Sequence, residues 1–435
     1  MSTMRDDSRE IEDVEQAVVQ AGSAEAGGQQ EIVPLWRNRD FLLLTGGQAV
    51  SLMGSQVSQL AFPLLMLALT HSPAQAGFMA AVRGLPFALL CLPAGALVDR
   101  WNRKRVMILC DTGRALALGS IPLALLLGHL TFVQLYLVAL TEGTLFVFFN
   151  MADAASLPHI VAKRQLPDAT AQALLAESVS SLLGPALGGL LYGIATMLPF
   201  GADAVSYAVS VFSLFFIRAE FQEEWAVTQK QNLWKEIGAG LHWLWHEPLV
   251  RFIAILTGGI TFPVVGYGLI LIVIAQRQHA SPSTIGLIFG CGGIGSILGA
   301  LLAGPLQRRF SFAQMLIGAT WVWALTWLLF AIAPNPFVLG IVTALSFIVV
   351  PIYTGTQYSY RMAVIPDALQ GRVNSVFRLI AFGTQPLGLT LTGVLLQAIG
   401  PVATVLALFI PQFILSIAVT FNQHVRDAKP ISEMK

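Results

Sequence analysis

The chain has 435 residues, of which 55% are hydrophobic and only 11% charged, and its formal net charge is +1. Soluble domains carry about a quarter charged residues, so this composition excludes an ordinary water-soluble protein and leaves a polytopic membrane protein. A near-zero charge with basic residues scattered in short links argues against a nucleic-acid partner.

Residues 1–35 are polar and acid-rich with no apolar core, which reads as a disordered cytoplasmic tail rather than a cleaved signal peptide. After it come twelve apolar runs of spanning length, bounded by charge or by Pro, Gly and Asn. Spans 1 to 6 lie at roughly 41–69, 74–98, 106–127, 132–155, 171–194 and 198–217, within a first bundle over 36–217. A polar linker covers 218–250, and spans 7 to 12 lie at roughly 252–275, 285–306, 312–332, 337–360, 373–399 and 402–421, within a second bundle over 251–422. Residues 423–435 form a second tail.

Links after even-numbered spans hold almost all the Lys and Arg, and those after odd-numbered spans hold essentially only Arg277. Both termini are therefore expected in the cytoplasm. The opposite links, such as THSPAQA from Thr70, GHLT from Gly128 and APNPF from Ala333, are tight hairpins. Cys91, Cys110 and Cys291 all fall inside apolar runs and read as small buried hydrophobes, with no metal set among them.

Span 1 sets Gln48, Ser51, Ser55 and Gln59 at three- and four-residue steps, a polar stripe expected either to face water or to bond neighbouring helices. Between spans 2 and 3 the chain reads GALVDRWNRKRVM from Gly95. This matches G-x-L-x-D-R-x-x-R-K and resembles the signature loop of the major facilitator superfamily. The resemblance implies an all-α membrane protein with twelve transmembrane helices in two pseudo-symmetric six-helix bundles. It also implies roles: Gly95 for close helix approach, Asp99 as a cytoplasmic gate latch, and Arg100, Arg103 and Lys104 as its partners. The alternative is that the basic residues only set topology. The family's usual Gly is Asn102 here, which also accepts a left-handed backbone.

Charges inside the apolar runs are costly and tend to face a cavity or a partner. Arg83 and Glu142 each lie about ten residues from the far ends of spans 2 and 4, near mid-membrane at ~1.5 Å per residue, and can pair. Glu142 is the first candidate either to take up a coupling proton or to hold a cationic substrate; the bland reading is a structural ion pair with Arg83. Asp111 and Arg114, three apart in span 3, read as a structural pair. Glu177 and Arg378 begin spans 5 and 11 at corresponding places, which suggests an interdomain contact at the cytoplasmic gate, and Asp203 lies one turn into span 6.

Span 5 contains GPALGG, with Gly184, Pro185, Gly188 and Gly189, resembling a G-P-x-x-G-G string common in the superfamily's exporters. Pro185 bends the helix and the glycines allow close approach. In span 10, Tyr353, Thr354, Gln357 and Tyr360 form a second polar stripe. The resemblance places both stripes on the central pathway. QLPDATAQ from Gln165 is echoed by VIPDALQG from Val364, and GPLQRRFSF from Gly304 echoes the loop after span 2, as two related halves require.

In the linker, NLWKEIGAGLHWLWHEP puts Leu233, Trp234, Ile237, Leu241 and Leu244 near one face, fitting an amphipathic helix at the inner membrane surface. His242 and His246 lack the Glu of H-E-x-x-H. Neither G-x-S-x-G nor an ATP-binding G-x-x-x-x-G-K-[ST] string is present, and no soluble output domain is visible, so an intramembrane enzyme and a receptor are both disfavoured.

The run SLMGSQVSQLAFPLLMLALTHS through GALVDR, with GPALGG and DAVSYAVS, resembles the branch of the superfamily that contains macrolide efflux proteins and the enterobactin exporter. Members often carry Asp after the span 1 Gly, where this chain has Ser55 after Gly54. The resemblance implies a secondary active exporter of the bacterial inner membrane, moving an amphipathic, drug-like small molecule by alternating access as a proton antiporter. The alternative cargo is a siderophore or lipid-like metabolite. A monomer in the lipid bilayer with no cofactor is expected.

Overall fold

A computed structural model describes residues 34–98, 100–221, 233–366 and 369–428. Among the described residues, eleven helical stretches are long and apolar enough to cross a bilayer. The last, Gln370–Phe421, has 52 residues. At ~1.5 Å per residue this is more than twice the ~30 Å hydrocarbon thickness. It turns back on itself at Gly400, whose φ of 77° lies outside the helical region. Counted as two, it brings the crossings to twelve.

The first six are Arg39–Thr70, Pro73–Val98, Arg103–Leu126, Phe132–Ile160, Leu166–Ile194 and Leu198–Phe216. Side chains supply the first-turn hydrogen bonds that a helix cannot make for itself: Asn38 accepts from Phe41 N, Asn102 from Arg105 N and Thr131 from Gln134 N. Asn102 is extended (φ −65°, ψ 107°) and not left-handed, because it caps span 3. Its substitution for the family's Gly thus costs no strain.

Spans 8 to 10 are the unbroken helices Pro282–Arg309, Phe312–Ile332 and Pro336–Val364. Spans 7 and 11, expected as continuous helices, are each broken. Span 7 is Pro248–Val264 followed by Tyr267–Arg277, and span 11 is Gln370–Phe382 followed by a helix from Gln385. Pro263 and Pro386 flank these breaks, where a missing N–H and a ring clash interrupt the ladder.

The apolar cores show how the bundles meet. The end carrying Arg100 to Arg105 is here termed the basic end. Away from it, one continuous core joins both bundles, with Leu60, Met66 and Leu135 packed among Leu271, Leu339 and Val405. At the basic end the core divides in two. Phe41, Met107 and Leu214 belong to one part, and Ile253, Phe312 and Phe377 to the other. Nearly every residue of span 5 from Ala171 to Val179 is exposed, as expected of a helix with a neighbour on neither its lipid side nor its cleft side. The molecule is closed at the far end and split at the basic end.

The linker helix, Leu233–His246, does not simply lie on a membrane surface. Leu244 is buried in the core of the second bundle, and Gly240 lies so close to span 11 that a Cβ there would be 2.7 Å from the Arg372 carbonyl oxygen. The side chains of Leu233, Trp234 and Ile237 fall outside the described residues.

Candidate functional site

The far-end closure is made by backbone against backbone at two related places. A Cβ on Gly77 of span 2 would fall 2.8 Å from Gly393 Cα of span 11, and one on Gly189 of span 5 would fall 2.8 Å from Gly286 Cα of span 8. Small residues are what allow helices to approach this closely. Hydrogen bonds finish the seam: Ser72 Oγ donates to Gln397 Oε1 at 2.6 Å, and Ser283 Oγ to the Gly189 carbonyl at 3.5 Å. The span 5 string divides its work, since Gly184 and Gly188 face Gln56 and Val57 of span 1 while Gly189 faces the other bundle.

Mid-membrane in the first bundle lies a network of charges. Glu142 of span 4 is held by two guanidiniums: Arg83 Nε donates to Oε2, and Arg114 Nη2 donates to Oε1 at 3.1 Å. Gly143 sets this register, because a Cβ there would collide with the Arg83 carbonyl oxygen, so the backbones of spans 2 and 4 touch at this level. Arg114 also donates to Asp111 at 3.3 Å and to the Tyr207 hydroxyl, and its guanidinium lies 4.0 Å from the centre of the Tyr207 ring. Tyr207 in turn meets Ser55 Oγ at 2.7 Å. Asp203 accepts hydrogen bonds from Ser58 and Ser206. The side chain of Arg83 keeps 23% exposure while Glu142 keeps 2%, so Arg83 is the exposed member of the pair.

In the second bundle lies a chamber of about 290 Å³ lined by spans 7, 9, 10 and 11. Its walls include Tyr267, Trp323, Trp327, Phe347 and Phe382, and among the described residues no charged side chain lines it. Breaking spans 7 and 11 opens this space, for Val264, Val265, Phe382 and Gln385, at the breaks, are on its wall. Tyr353, Thr354 and Gln357 line it as well. Thr257 Oγ1 lies 3.0 Å from the Tyr353 hydroxyl and 3.2 Å from Gln357 Oε1. Ser346 Oγ, on the same wall and buried, has no hydrogen-bond partner among the described residues.

The span 1 stripe takes several environments. Gln48 donates to Asp153 beside a smaller pocket, Ser51 is buried, Ser55 turns to span 6, and Gln59 is exposed. At the basic end Asp99 falls outside the described residues. Arg103 donates to the carbonyls of Ala155 and Phe221 at 2.9 and 3.2 Å, and Lys104 to that of Ile217 at 2.6 Å. Cations thus cap the carboxyl ends of spans 4 and 6 within their own bundle. Arg100 is exposed, and Gly95 has open space where a Cβ would be. Glu177 and Arg378 are both exposed, and no ion pair joins them among the described residues.

Two features escaped the reading of the sequence. The seam glycines Gly77 and Gly286 each close an S-P-x-x-x-G string, SPAQAG from Ser72 and SPSTIG from Ser281, at the starts of spans 2 and 8. Comparing the halves at those starts would have found them. The aromatic chamber had no comparable signal, since its Trp and Phe residues are spread over three spans and its Tyr267 comes from a fourth.

A family model described as transmembrane secretion effector matches residues 31–433. The multidrug efflux pump Tap of Mycolicibacterium fortuitum is 28% identical over 412 residues, covering 89% of this chain and 95% of that protein. The enterobactin exporter EntS of Escherichia coli strain K12 is 25% identical over 390 residues, covering 88% and 92%. The crystal structure of the nucleoside transporter NupG matches with a TM-score of 0.70 at 14% identity, covering 90% of this chain and all of that one, a likeness of fold alone. With seam, charge network and chamber all inside the matched region, the chain belongs to the transmembrane secretion effector family of the major facilitator superfamily, and is a multi-pass membrane transporter and not an enzyme.

Proposed function

We propose that this transporter exports an amphipathic small molecule across a bacterial inner membrane in exchange for protons. The observation that carries the reading is the pairing of an aromatic, uncharged chamber in the second bundle with a charge network in the first. A ligand with a flat apolar body and a cationic end satisfies both at once: the body packs among Trp323, Trp327 and Phe347, and the cation competes with Arg83 for Glu142. Bilayer-soluble amphiphiles fit an apolar cavity with a few polar groups. The likeness to the pump Tap supports a drug-like cargo.

Positive-inside topology puts the basic end and both termini in the cytoplasm. In that orientation the described state is open inward. The Gly77–Gly393 and Gly189–Gly286 seams are the external gate. Glu177, Arg378, Gly95, Asp99 and the basic residues Arg100, Arg103 and Lys104 form the cytoplasmic gate that closes when the seams part. Gly184, Pro185 and Gly188 keep span 5 against span 1 as it rocks, and Gln48, Ser51, Ser55 and Gln59 line or brace the path opposite Tyr353, Thr354 and Gln357.

The test is uptake of a fluorescent lipophilic cation into inverted vesicles, with and without an imposed pH gradient. Gradient-dependent uptake that falls in Trp323→Ala and Glu142→Gln supports the reading; uptake indifferent to the gradient removes proton drive. A siderophore or lipid-like metabolite is the second reading, favoured by the likeness to the enterobactin exporter. Competition by a catecholate siderophore against the cation at equal concentration would select it.

A further inference from the structure

We infer that Asp203, and not Glu142, is the group that carries the exchanged proton, an inference that rests on the antiport reading above. The buried charges do not balance if all are ionised. Arg83 and Arg114 lie among Glu142, Asp111 and Asp203, which is two cations against three carboxyls, all buried except the partly exposed Arg83. An uncompensated charge in such a place is strongly disfavoured. One carboxyl must be neutral in this state, and geometry selects which.

Glu142 has a guanidinium on each oxygen, and Asp111 has Arg114. Neutralising Glu142 would leave Arg83 without a carboxylate, and neutralising Asp111 would leave Arg114 to share Glu142 with Arg83. Asp203 has no such partner. It is fully buried, and no Lys, Arg or His nitrogen among the described residues lies within 4.0 Å of it. Among the described residues its side-chain oxygens meet the hydroxyls of Ser58 and Ser206. Hydroxyls both donate and accept, so they satisfy the carboxylate and the neutral acid alike. This is what a group that must change protonation while buried requires. Room for it comes from Gly54 of span 1, where a Cβ would lie 2.6 Å from Asp203 Oδ1.

Span 1 contributes Ser55 and Ser58, which are uncharged; span 2 contributes Arg83, span 3 Asp111 and Arg114, span 4 Glu142, and span 6 its own Ser206 and Tyr207. These residues also form a line of communication. Arg83 holds Glu142, Glu142 holds Arg114, Arg114 holds Tyr207, Tyr207 meets Ser55, and Ser58 Oγ lies 3.2 Å from the Ser55 carbonyl while bonded to Asp203. A cationic substrate that takes Glu142 leaves Arg83 and Arg114 less neutralised. The cluster becomes more positive, the O–H bond of Asp203 breaks with its electron pair kept by the carboxylate, and the proton leaves to water in the open cleft. Substrate in and proton out, in the inward-open state, is the exchange an exporter needs.

The experiment is infrared spectroscopy of the full chain in lipid at neutral pH, in light and heavy water, following the carbonyl stretch of a neutral carboxylic acid. Proton release is then read with a pH dye on adding tetraphenylphosphonium to weakly buffered protein. The wild type is expected to show the band, to lose it on adding the cation and to release protons; Asp203→Asn lacks band and release, Asp203→Glu, the conservative variant, keeps a displaced band, and Glu142→Asp, which keeps the charge balance, keeps the band undisplaced. A band that persists in Asp203→Asn, or no such band in the wild type, overturns the assignment. Vesicle transport by the wild type that ignores the pH gradient overturns the antiport reading instead, and the band then still decides whether Asp203 is the neutral acid.

Discussion

Gly77 and Gly393 stand backbone to backbone across the far end, each so near that a Cβ on Gly393 would lie 3.0 Å from Gly77 Cα and 2.7 Å from the Pro73 carbonyl oxygen. Gly286 and Gly189 repeat the arrangement with the same offset, the Pro185 carbonyl oxygen lying 2.6 Å from a Cβ on Gly286. The two contacts are related as the bundles are, so far-end closure is a symmetric event of two seams at once.

A bulky side chain in one seam penalises only the state in which that seam is shut. Gly286→Leu is therefore expected to shift the population toward opening at the far end. Overpacking of about 1–3 kcal/mol corresponds to a shift of roughly 5- to 150-fold. With Ser346→Cys as reporter in a chain lacking the native cysteines, an impermeant thiol reagent applied to whole cells should label the chamber faster by such a factor. Unchanged labelling would show that the seam is not a gate.

Glu142 is the keystone of the charge network, and Arg83 is its replaceable part. Removing one partner of a buried pair leaves the other uncompensated, typically at a cost of ~3–5 kcal/mol. Glu142→Gln takes a carboxylate from two guanidiniums, leaving Arg83 unpaired and Arg114 with Asp111 alone, whereas Arg83→Gln leaves Glu142 with Arg114. Denaturant unfolding in detergent should show the Glu142 variant to be the less stable by at least ~1 kcal/mol. Equal losses would mean that Arg114 does not hold Glu142.

Much of this was legible because charge in an apolar run is a strong signal. Arg83 with Glu142 and Asp111 with Arg114 were found from cost and spacing, and the structure brings both pairs together. The polar stripe of span 10 reaches the chamber, where Tyr353, Thr354 and Gln357 line the wall. Less legible was the direction of side chains on a helix with polar neighbours on several sides: Ser55 satisfies its hydroxyl against Tyr207. Breaks such as the one after Val264 leave little mark, because many membrane helices carry proline without breaking. Backbone contacts between glycines depend on which two spans face each other, and periodicity does not contain that.

Ser346 gives a test of the chamber free of a stability penalty. Its buried hydroxyl bonds nothing among the described residues, so Ser346→Ala is expected to change unfolding stability by under about 0.5 kcal/mol. A ligand that accepts a hydrogen bond there should bind more weakly by roughly 3- to 10-fold, the worth of about 1 kcal/mol, while an analogue without the acceptor binds unchanged. Isothermal titration of such a matched pair reads the difference. Equal weakening of both would place the ligand elsewhere.

Glu177 and Arg378 lie in the basic-end halves of spans 5 and 11, in opposite bundles, and both are exposed. If they meet in the closed state, like charges should oppose closure and swapped charges restore it. An exposed pair contributes about 0.2–1 kcal/mol, so Glu177→Lys is expected to slow the return step and lower transport by roughly 1.4- to 5-fold. Glu177→Arg combined with Arg378→Glu should recover most of that loss, and added salt should shrink the difference between variants as screening rises. Recovery by the swap is what separates a pairwise gate from two independent surface charges. A double variant as slow as the worse single one would assign basic-end closure to other residues, with Asp99 the next to examine by the same exchange against Arg100.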